Sequence, residues 1–483
     1  MTPSALLALD AGALSRRIAA REVSCRELMR ATLDRIHALN PVHNAIVSLR
    51  SEEDLLAQAD LRDTALVRGE ATGWMHGFPL AVKDLSDAQG LPTTQGSRTT
   101  AGRIASGDAL FVQRMKKAGG IVIGKTNTPE FGLGSHTFNE VFGTTRNAWD
   151  PARSAGGSSG GAAVALALGM LPVADGSDFG GSLRNPAAFN NVVGFRPSRG
   201  RVPAVPAEDA FFAQLGTEGP MARTTMDAAR LLCTMAGWDE RAPLSLADPL
   251  PEPGSLELAG PPRGQRIGWL GSLWSDLPLE PGIATLCEQA LRRLQEAGHV
   301  VEPCTLDVPR DVNWNAWLVL RQMLTGGKLR ATYAQPELRA LMKPEAVWEV
   351  EQGLQLTAAQ LYQASAQRTE VYHALRRLFE RFDVLAAPSA QVFPFAADER
   401  WPRAIAGVSM DTYHRWMEIV TPFTLAGLPV ASVPVGFGDG GLPMGMQLAG
   451  PPRGDLRVLA LAHAFEAIAP WNVRQPPPLA GPA

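Results

Sequence analysis

The 483-residue sequence predicts an α/β fold, with α/β/α layers around a mixed, mainly parallel sheet and a helical excursion near 311–382. Three observations carry this. The chain is 45% hydrophobic and 19% charged, which is enough apolar material for a large core and too little charge for disorder. From about residue 70 onward, short apolar runs alternate with segments of helical period, the pattern of strands interleaved with covering helices. No internal repeat or long low-complexity run interrupts the series.

In chain order, the first 70 residues are helical. Ser24-Cys25-Arg26-Glu27 is a capping box, and its helix is expected to run through Leu28, Ile36 and Leu39 to a stop at Pro41. A second helical pattern covers Asp54 to Val67. Phe78–Val82 follows as a strand, Ala109–Lys117 as a helix ended by Gly119, and Ile121–Ile123 as a strand. Gly161–Gly169 is a helix of small residues and Leu171–Ala174 a short strand. The alternation resumes at Met226–Met235, Arg266–Leu270, Ile283–Ala297 and Val300–Thr305. It closes with Val384–Ala387, Ala431–Val435, Met444–Leu448 and the helix Asp455–Ile468. Segment 311–382 is helical and rich in aromatics, including Trp314 and Trp317; it reads either as a helical layer on the sheet or as a cap over a pocket. The Pro-rich stretch Ala242–Pro262 is the best candidate for a hinge or surface excursion, and the 476–482 tail is expected to fray.

Composition narrows the function classes. The 45 Lys+Arg against 48 Asp+Glu leave a net charge of −3, without the basic excess of a nucleic-acid binder. The longest apolar stretch, Gly161 to Ala174, falls short of the ~18 residues of a membrane span. No basic region precedes the apolar residues of the N-terminus, so a cytoplasmic protein is expected. Cys25, Cys233, Cys287 and Cys304 are scattered and read as reduced thiols, neither a disulfide framework nor a zinc site. Length alone suggests about three domains, at roughly 150 residues each.

Three motif matches fail on context. Gly119-Gly120-Ile121-Val122-Ile123-Gly124-Lys125-Thr126 fits the phosphate-loop pattern, but a helix precedes it and an Ile-Val-Ile strand fills the loop. Gly436-Phe437-Gly438-Asp439-Gly440-Gly441 fits a dinucleotide fingerprint, yet a strand follows and Asp439-Gly440 signals a hairpin turn. Gly156–Gly160 fits GxSxG without the strand a nucleophile elbow needs, and none of His299, His373, His414 and His463 sits in a marked context.

The block from Gly156 to Pro203 survives. Two small-residue turns, Gly156–Gly161 and Gly180–Ser182, flank a helix and a strand, and glycine there lets backbone approach a ligand closely. Successive N–H groups in Asp178-Phe179-Gly180-Gly181-Ser182 can form a nest for an oxyanion, which places Ser182 well as a nucleophile. With no histidine marked, the alternative base is a neutral lysine. Lys83 ends an apolar strand, where burial would favour the uncharged amine. Each residue also has a plainer reading: Lys83 as a solvated charge, and Ser158 or Ser159 as helix caps.

These residues resemble the amidase signature family, the Ser–Ser–Lys amide hydrolases. The likeness includes FPLAVKD at Lys83, GKTNTPEFGLGS at 124–135, FGTTRNAWDP at 142–151, the glycine–serine block, and the motifs TPFTLAGLPVASVPVGF and GLPMGMQLAGP within 421–451. The resemblance implies Ser182 as nucleophile, Ser158 as bridging serine and Lys83 as base. It implies an oxyanion hole from the amides of Phe179, Gly180, Gly181 and Ser182, with Ser159, Asp178 and Arg184 in support. It also implies a cis peptide at Gly157–Ser158, and no metal or cofactor has a role in its chemistry. Phe179 departs from the Thr or Ile more often found there, and Asn190-Asn191 stands where many relatives have Cys-Gly.

Because the family motifs span the chain, the expected organisation is one domain over 1–483. Within it, 1–70 are N-terminal helices, 71–240 the catalytic core, 241–382 a variable, partly helical region and 383–470 the rest of the core. Leu133, Trp314, Trp317 and Met417, with Phe179, are candidates for an apolar substrate pocket. The implied activity is hydrolysis of small, uncharged aryl or alkyl amides, with esters and carbamates (urethanes) open to the same acyl-enzyme. The partner is then a small molecule, with no nucleic acid and no membrane, for a monomer or homodimer. The alternatives are a catalytically silent binding protein on the same scaffold and a glutaminase-type amidotransferase subunit.

Overall fold

The computed structural model describes residues 1–258, 260, 264–470 and 477–478. The capping box forms as expected. Ser24 Oγ accepts the Glu27 amide at 3.0 Å and the Glu27 carboxylate accepts the Ser24 amide at 2.8 Å, opening the helix Cys25–His43. That helix passes the stop expected at Pro41. A proline in the last turn removes only one ladder bond, so the end falls instead where Asn44 turns left-handed at φ 49°.

The strands are β1 (Ile46–Val47), β2 (Pro79–Lys83), β3 (Ile121–Thr126), β4 (Val173–Asp178), β5 (Val193–Arg196), β6 (Thr217–Ala222), β7 (Arg266–Trp269), β8 (Val300–Pro303), β9 (Val384–Pro388), β10 (Ala404–Ile405), β11 (Val408–Ser409), β12 (Val430–Phe437) and β13 (Pro443–Ala449). A small sheet has the order β1-β3-β2, β10 and β11 pair alone, and the large sheet runs β4-β6-β5-β12-β13-β9-β7-β8. The expected α/β layering around a mixed sheet is present. Among the described residues, however, the ladders from β4 across to β9 are antiparallel, and the parallel pairs of this sheet are confined to the β9-β7-β8 edge. The expected mainly parallel balance therefore holds only at that edge.

The reason lies in β5 and β6, two strands that periodicity passes over. VGFR and TEGPMA carry Gly194, Gly219 and Pro220, residues depleted from strands, yet they join β4 to β12 in the large sheet. Asp439-Gly440 lies in the hairpin connection between β12 and β13, as its turn chemistry predicts.

The helical excursion comprises Arg310–Tyr333, Pro336–Arg339, Pro344–Leu354 and Ala358–Leu378. Trp314 and Trp317 on its first helix belong to the main apolar cluster, which reaches from Leu6 to Ala469. A smaller cluster gathers Leu133, Leu329, Met342, Ala346, Val350 and Tyr413 beneath the excursion. Within Ala242–Pro262 the described chain holds one 3-10 turn, Pro253–Ser255; residues 259, 261 and 262 lie outside the described residues, as does most of the 476–482 tail. All four cysteines are unpaired. No helix among the described residues is long and apolar enough to cross a membrane.

Candidate active site

The site forms where β2 ends beside β4. An all-buried Pro-Leu-Ala-Val-Lys strand carries Lys83 into the interior, and its backbone amide donates to Asp175 Oδ2 at 3.1 Å, which locks β2 to β4. Lys83 Nζ then meets three hydroxyls: Ser158 Oγ at 2.7 Å, Ser159 Oγ at 2.8 Å and Ser177 Oγ at 2.9 Å. The lysine is fully buried, so the solvated-charge reading fails.

Burial drives the Lys83 amine down to about 8, against the opposing pull of Glu218, Asp175 and Asp178. Burial likewise lifts the Asp175 carboxyl to about 6 and pushes Glu218 up. Glu218 sits directly opposite Ser177 in the β4–β6 ladder, so both side chains leave the sheet on the face that holds Lys83 Nζ. One of its carboxylate oxygens, Oε2, is buried with no hydrogen-bond partner among the described residues.

Ser159 occupies the N-cap position of the helix Gly160–Ala167 without making a side-chain cap bond. Its hydroxyl instead donates to Ser177 O at 3.4 Å and accepts from the Ser177 amide at 3.3 Å and from Lys83. Ser158 Oγ has no such second commitment among the described residues, which leaves its proton able to point at a neutral amine. The Gly157–Ser158 peptide is cis. The turn before Leu133 approaches closely: a Cβ on Gly132 would lie 3.5 Å from Ser158 Oγ.

Ser182 follows β4 on the tight turn Phe179–Ser182. Gly181 has φ 90°, and a Cβ there would meet Asn185 Oδ1 at 2.8 Å, so the position requires glycine. Asp178 organises the turn. Its carboxylate accepts the Gly181 amide at 2.9 Å and the Leu183 amide at 3.3 Å. Arg184 grips it bidentately at 2.9 Å through both Nε and Nη2, and Arg196 adds a bond of 3.2 Å. Burial alone would raise this carboxyl, but Arg184 and Arg196 outweigh it and hold Asp178 well below the usual carboxylate range. The Gly181 amide, expected among the oxyanion donors, is thus committed to Asp178. The amides of Phe179, Gly180 and Ser182 and the Ser182 hydroxyl make no hydrogen bond among the described residues.

Of the pocket candidates, Trp317 and Met417 reach the turn. A Cβ on Gly180 would lie 3.0 Å from Trp317 Cζ2 and 3.2 Å from Met417 Cε. Trp314 stacks behind Trp317 at 5.1 Å, while Leu133 packs in the smaller cluster with Tyr413. Phe179 is half-buried, its ring 5.2 Å from the Arg321 guanidinium. Arg321 is buried but neutralised: its Nε donates to Glu349 Oε1 at 2.7 Å and its Nη2 to the Tyr413 hydroxyl at 2.8 Å. His414 is spent in the same cluster, 4.8 Å from the Trp317 ring, with Nδ1 2.8 Å from Thr412 Oγ1. Lys125 of the rejected phosphate-loop match is buried and pairs with Asp84 at 3.8 Å. Asn190 donates to Ala155 O at 2.8 Å, and Asn191 takes the left-handed φ of 53° that asparagine tolerates. No group of three His, Cys, Asp or Glu among the described residues is arranged to hold a metal ion.

Ser159, Asp178 and Arg184 are all at the site, whereas Ser177, Asp175, Glu218 and Arg196 escaped the sequence reading. Ser177 was within reach, since alternation along β4 puts it on the face of Asp175 and opposite that of Asp178. Glu218 comes from a strand that the sequence did not announce.

The family model described as Amidase matches residues 27–459. A glutamyl-tRNA(Gln) amidotransferase subunit of Acidothermus cellulolyticus is 36% identical, over 96% of this chain and 95% of its own. An acylamidase of Rhodococcus erythropolis is 33% identical, over 99% and 98%. Among solved structures, a bacterial aryl acylamidase of the amidase signature family superposes with a TM-score of 0.90 at 31% identity, over 97% of this chain and 99% of that one.

Proposed function

The chain belongs to the amidase signature family and is an amide C–N hydrolase; from that premise we propose that it cleaves small, uncharged aryl or alkyl amides through an acyl-enzyme on Ser182. The observation that carries this reading is the Lys83 amine, depressed by burial and 2.7 Å from Ser158 Oγ, at the foot of the turn that presents Ser182.

In the proposed reaction, neutral Lys83 takes the Ser158 proton while Ser158 takes the Ser182 proton, and Ser182 Oγ bonds to the amide carbonyl carbon. Charge develops on the carbonyl oxygen, which the free amides of Phe179, Gly180 and Ser182 are suited to receive. Gly181 contributes the left-handed turn rather than a donor. Ser158 then protonates the leaving nitrogen, the C–N bond breaks, and Ser158 regains a proton from Lys83. Water adds to the ester through the same relay and releases the acid. Asp178, gripped by Arg184 and Arg196, holds the turn in place before substrate arrives.

Trp317 and Met417 against Gly180, together with Phe179, support an apolar or aromatic substrate. The pairing of Arg321 with Glu349 removes the charge that an anionic substrate would need on that wall. Esters and carbamates form the same acyl-enzyme and belong to the same proposal. The amidotransferase relative favours a second reading, hydrolysis of glutamine. Glutamine carries an ammonium and a carboxylate, which an apolar wall serves poorly. Turnover of para-nitroacetanilide, a primary amide, a carbamate and glutamine, each with a Ser182→Ala control, decides between them. We expect the anilide to be turned over and Ser182→Ala to be inactive; turnover of glutamine alone, or an active Ser182→Ala, overturns the reading.

A further inference from the structure

A cavity of about 470 Å³ lies apart from Lys83, Ser158 and Ser182. It opens between the helix Ala358–Leu378, the loop after β5 and the residues following the helix Thr421–Leu425. Three arginines from different segments line it: Arg199, Arg368 and Arg453. No residue of the proposed relay or oxyanion turn does.

Among the described residues no ion pair compensates the charge there, although Arg453 is close enough to help lower the Asp248 carboxyl. Arg368 is half-buried, and its Nε donates to Leu425 O at 2.7 Å; the rest of its guanidinium has no acceptor among the described residues. Arg199 donates to the neutral amide of Gln214. No carboxylate lies within ion-pair distance of Arg199, Arg368 or Arg453 among the described residues. Asp248 pairs with Arg201 at 2.7 Å, and Asp455 binds Arg201 at 3.2 Å and the Ser198 amide at 2.7 Å. Burial, and then the charge of Arg199, push the Arg368 guanidinium down to about 10. Arg199 and Arg453 are exposed, whereas Arg368 is partly withdrawn from water without an ion pair, which is costly for a charge. Two guanidiniums facing one cavity match the oxygens of a phosphate, which each fork can bind through parallel N–H bonds. Ser365 and Tyr372, each one turn from Arg368 along the same face of its helix, add hydroxyls to the wall. The volume suits a small metabolite and is far larger than a bare ion requires.

We propose that this cavity is a binding site for a phosphate dianion, free or as the headgroup of a small phosphomonoester. The test is calorimetric titration of the full chain with inorganic phosphate and, separately, with glycerol 3-phosphate, at constant ionic strength balanced with chloride. Saturable 1:1 binding is expected, weakened at least about tenfold in Arg368→Gln and in Arg199→Gln and less so in Arg368→Lys, which keeps the charge but loses the fork. Tighter binding of the ester than of phosphate would identify a headgroup site, and the reverse order a free-ion site. If Arg368→Gln lowers the melting temperature, Arg199→Gln decides, because that side chain is exposed and, among the described residues, hydrogen-bonds only Gln214. Heats no larger than the chloride control, or affinities unchanged in Arg199→Gln, would overturn the proposal. Hydrolysis of para-nitroacetanilide by Arg199→Gln serves as the fold control and is expected at the parent rate.

Discussion

The depressed amine of Lys83 makes a quantitative demand on the pH dependence of kcat/KM. With the amine at about 8, roughly a tenth of the enzyme holds neutral Lys83 at pH 7 and roughly nine-tenths at pH 9. Activity should therefore rise about tenfold between those values and level off above pH 9. An amine left at its ordinary 10.5 would instead give a rise of about a hundredfold over the same interval, with no plateau. Glu218 supplies an internal control. Its carboxylate and those of Asp175 and Asp178 favour the protonated lysine, so Glu218→Gln should move the limb to lower pH and raise activity at pH 7 relative to the plateau. The assay is kcat/KM for para-nitroacetanilide from pH 6 to 10 in buffers of matched ionic strength, with a solvent isotope effect to establish that chemistry limits the rate. A hundredfold rise, a flat profile, or a limb moved upward in Glu218→Gln would refute the burial argument.

Three further outcomes are expected. Ser177→Ala removes one of three hydroxyls from Lys83 and should lower kcat/KM about fivefold, the worth of one ordinary hydrogen bond, while Ser182→Ala removes turnover altogether. Arg184→Met leaves the Asp178 carboxylate buried beside only Arg196 and should cost about 3–5 kcal/mol in urea unfolding. The folded Asp178 carboxyl lies below its unfolded value, so its stabilisation is complete at neutral pH and lost as pH falls through the lowered value. The acid-unfolding midpoint of Arg184→Met should accordingly rise. Trp317→Leu opens space against Gly180 and should raise the ratio of hexanoyl to acetyl para-nitroanilide turnover by roughly tenfold, measured as kcat/KM.

The residues of the proposed relay were legible because their requirements are local. Gly181 must turn left-handed before Ser182, Lys83 must end an apolar strand, and the glycine–serine block must let backbone approach backbone. Each of these leaves its mark within a few residues. The same local logic discarded the phosphate-loop match, whose lysine proved to be a buried partner of Asp84. What local pattern could not decide was everything set by pairing across the chain. β5 and β6 carry glycine and proline where strands seldom do, and they are held by their neighbours rather than by propensity, so the antiparallel part of the sheet went unread. With β6 unread, Glu218 could not be placed opposite Ser177. The engagement of the Gly181 amide by Asp178 was hidden in the same way, because only folded geometry decides which of four successive donors is already taken. The pocket candidates divide along this line too: Trp317 and Met417 meet Gly180 through contacts between distant segments, which sent Leu133 to another cluster. The sequence by itself determined the family, the α/β layering and the lysine and serines at the centre, all consequences of backbone demands at neighbouring positions. Only the folded chain shows the charges around Lys83, the amides of the Phe179–Ser182 turn that stay unbonded among the described residues and the side chains packed against Gly180, since each depends on register and burial between segments far apart in the chain.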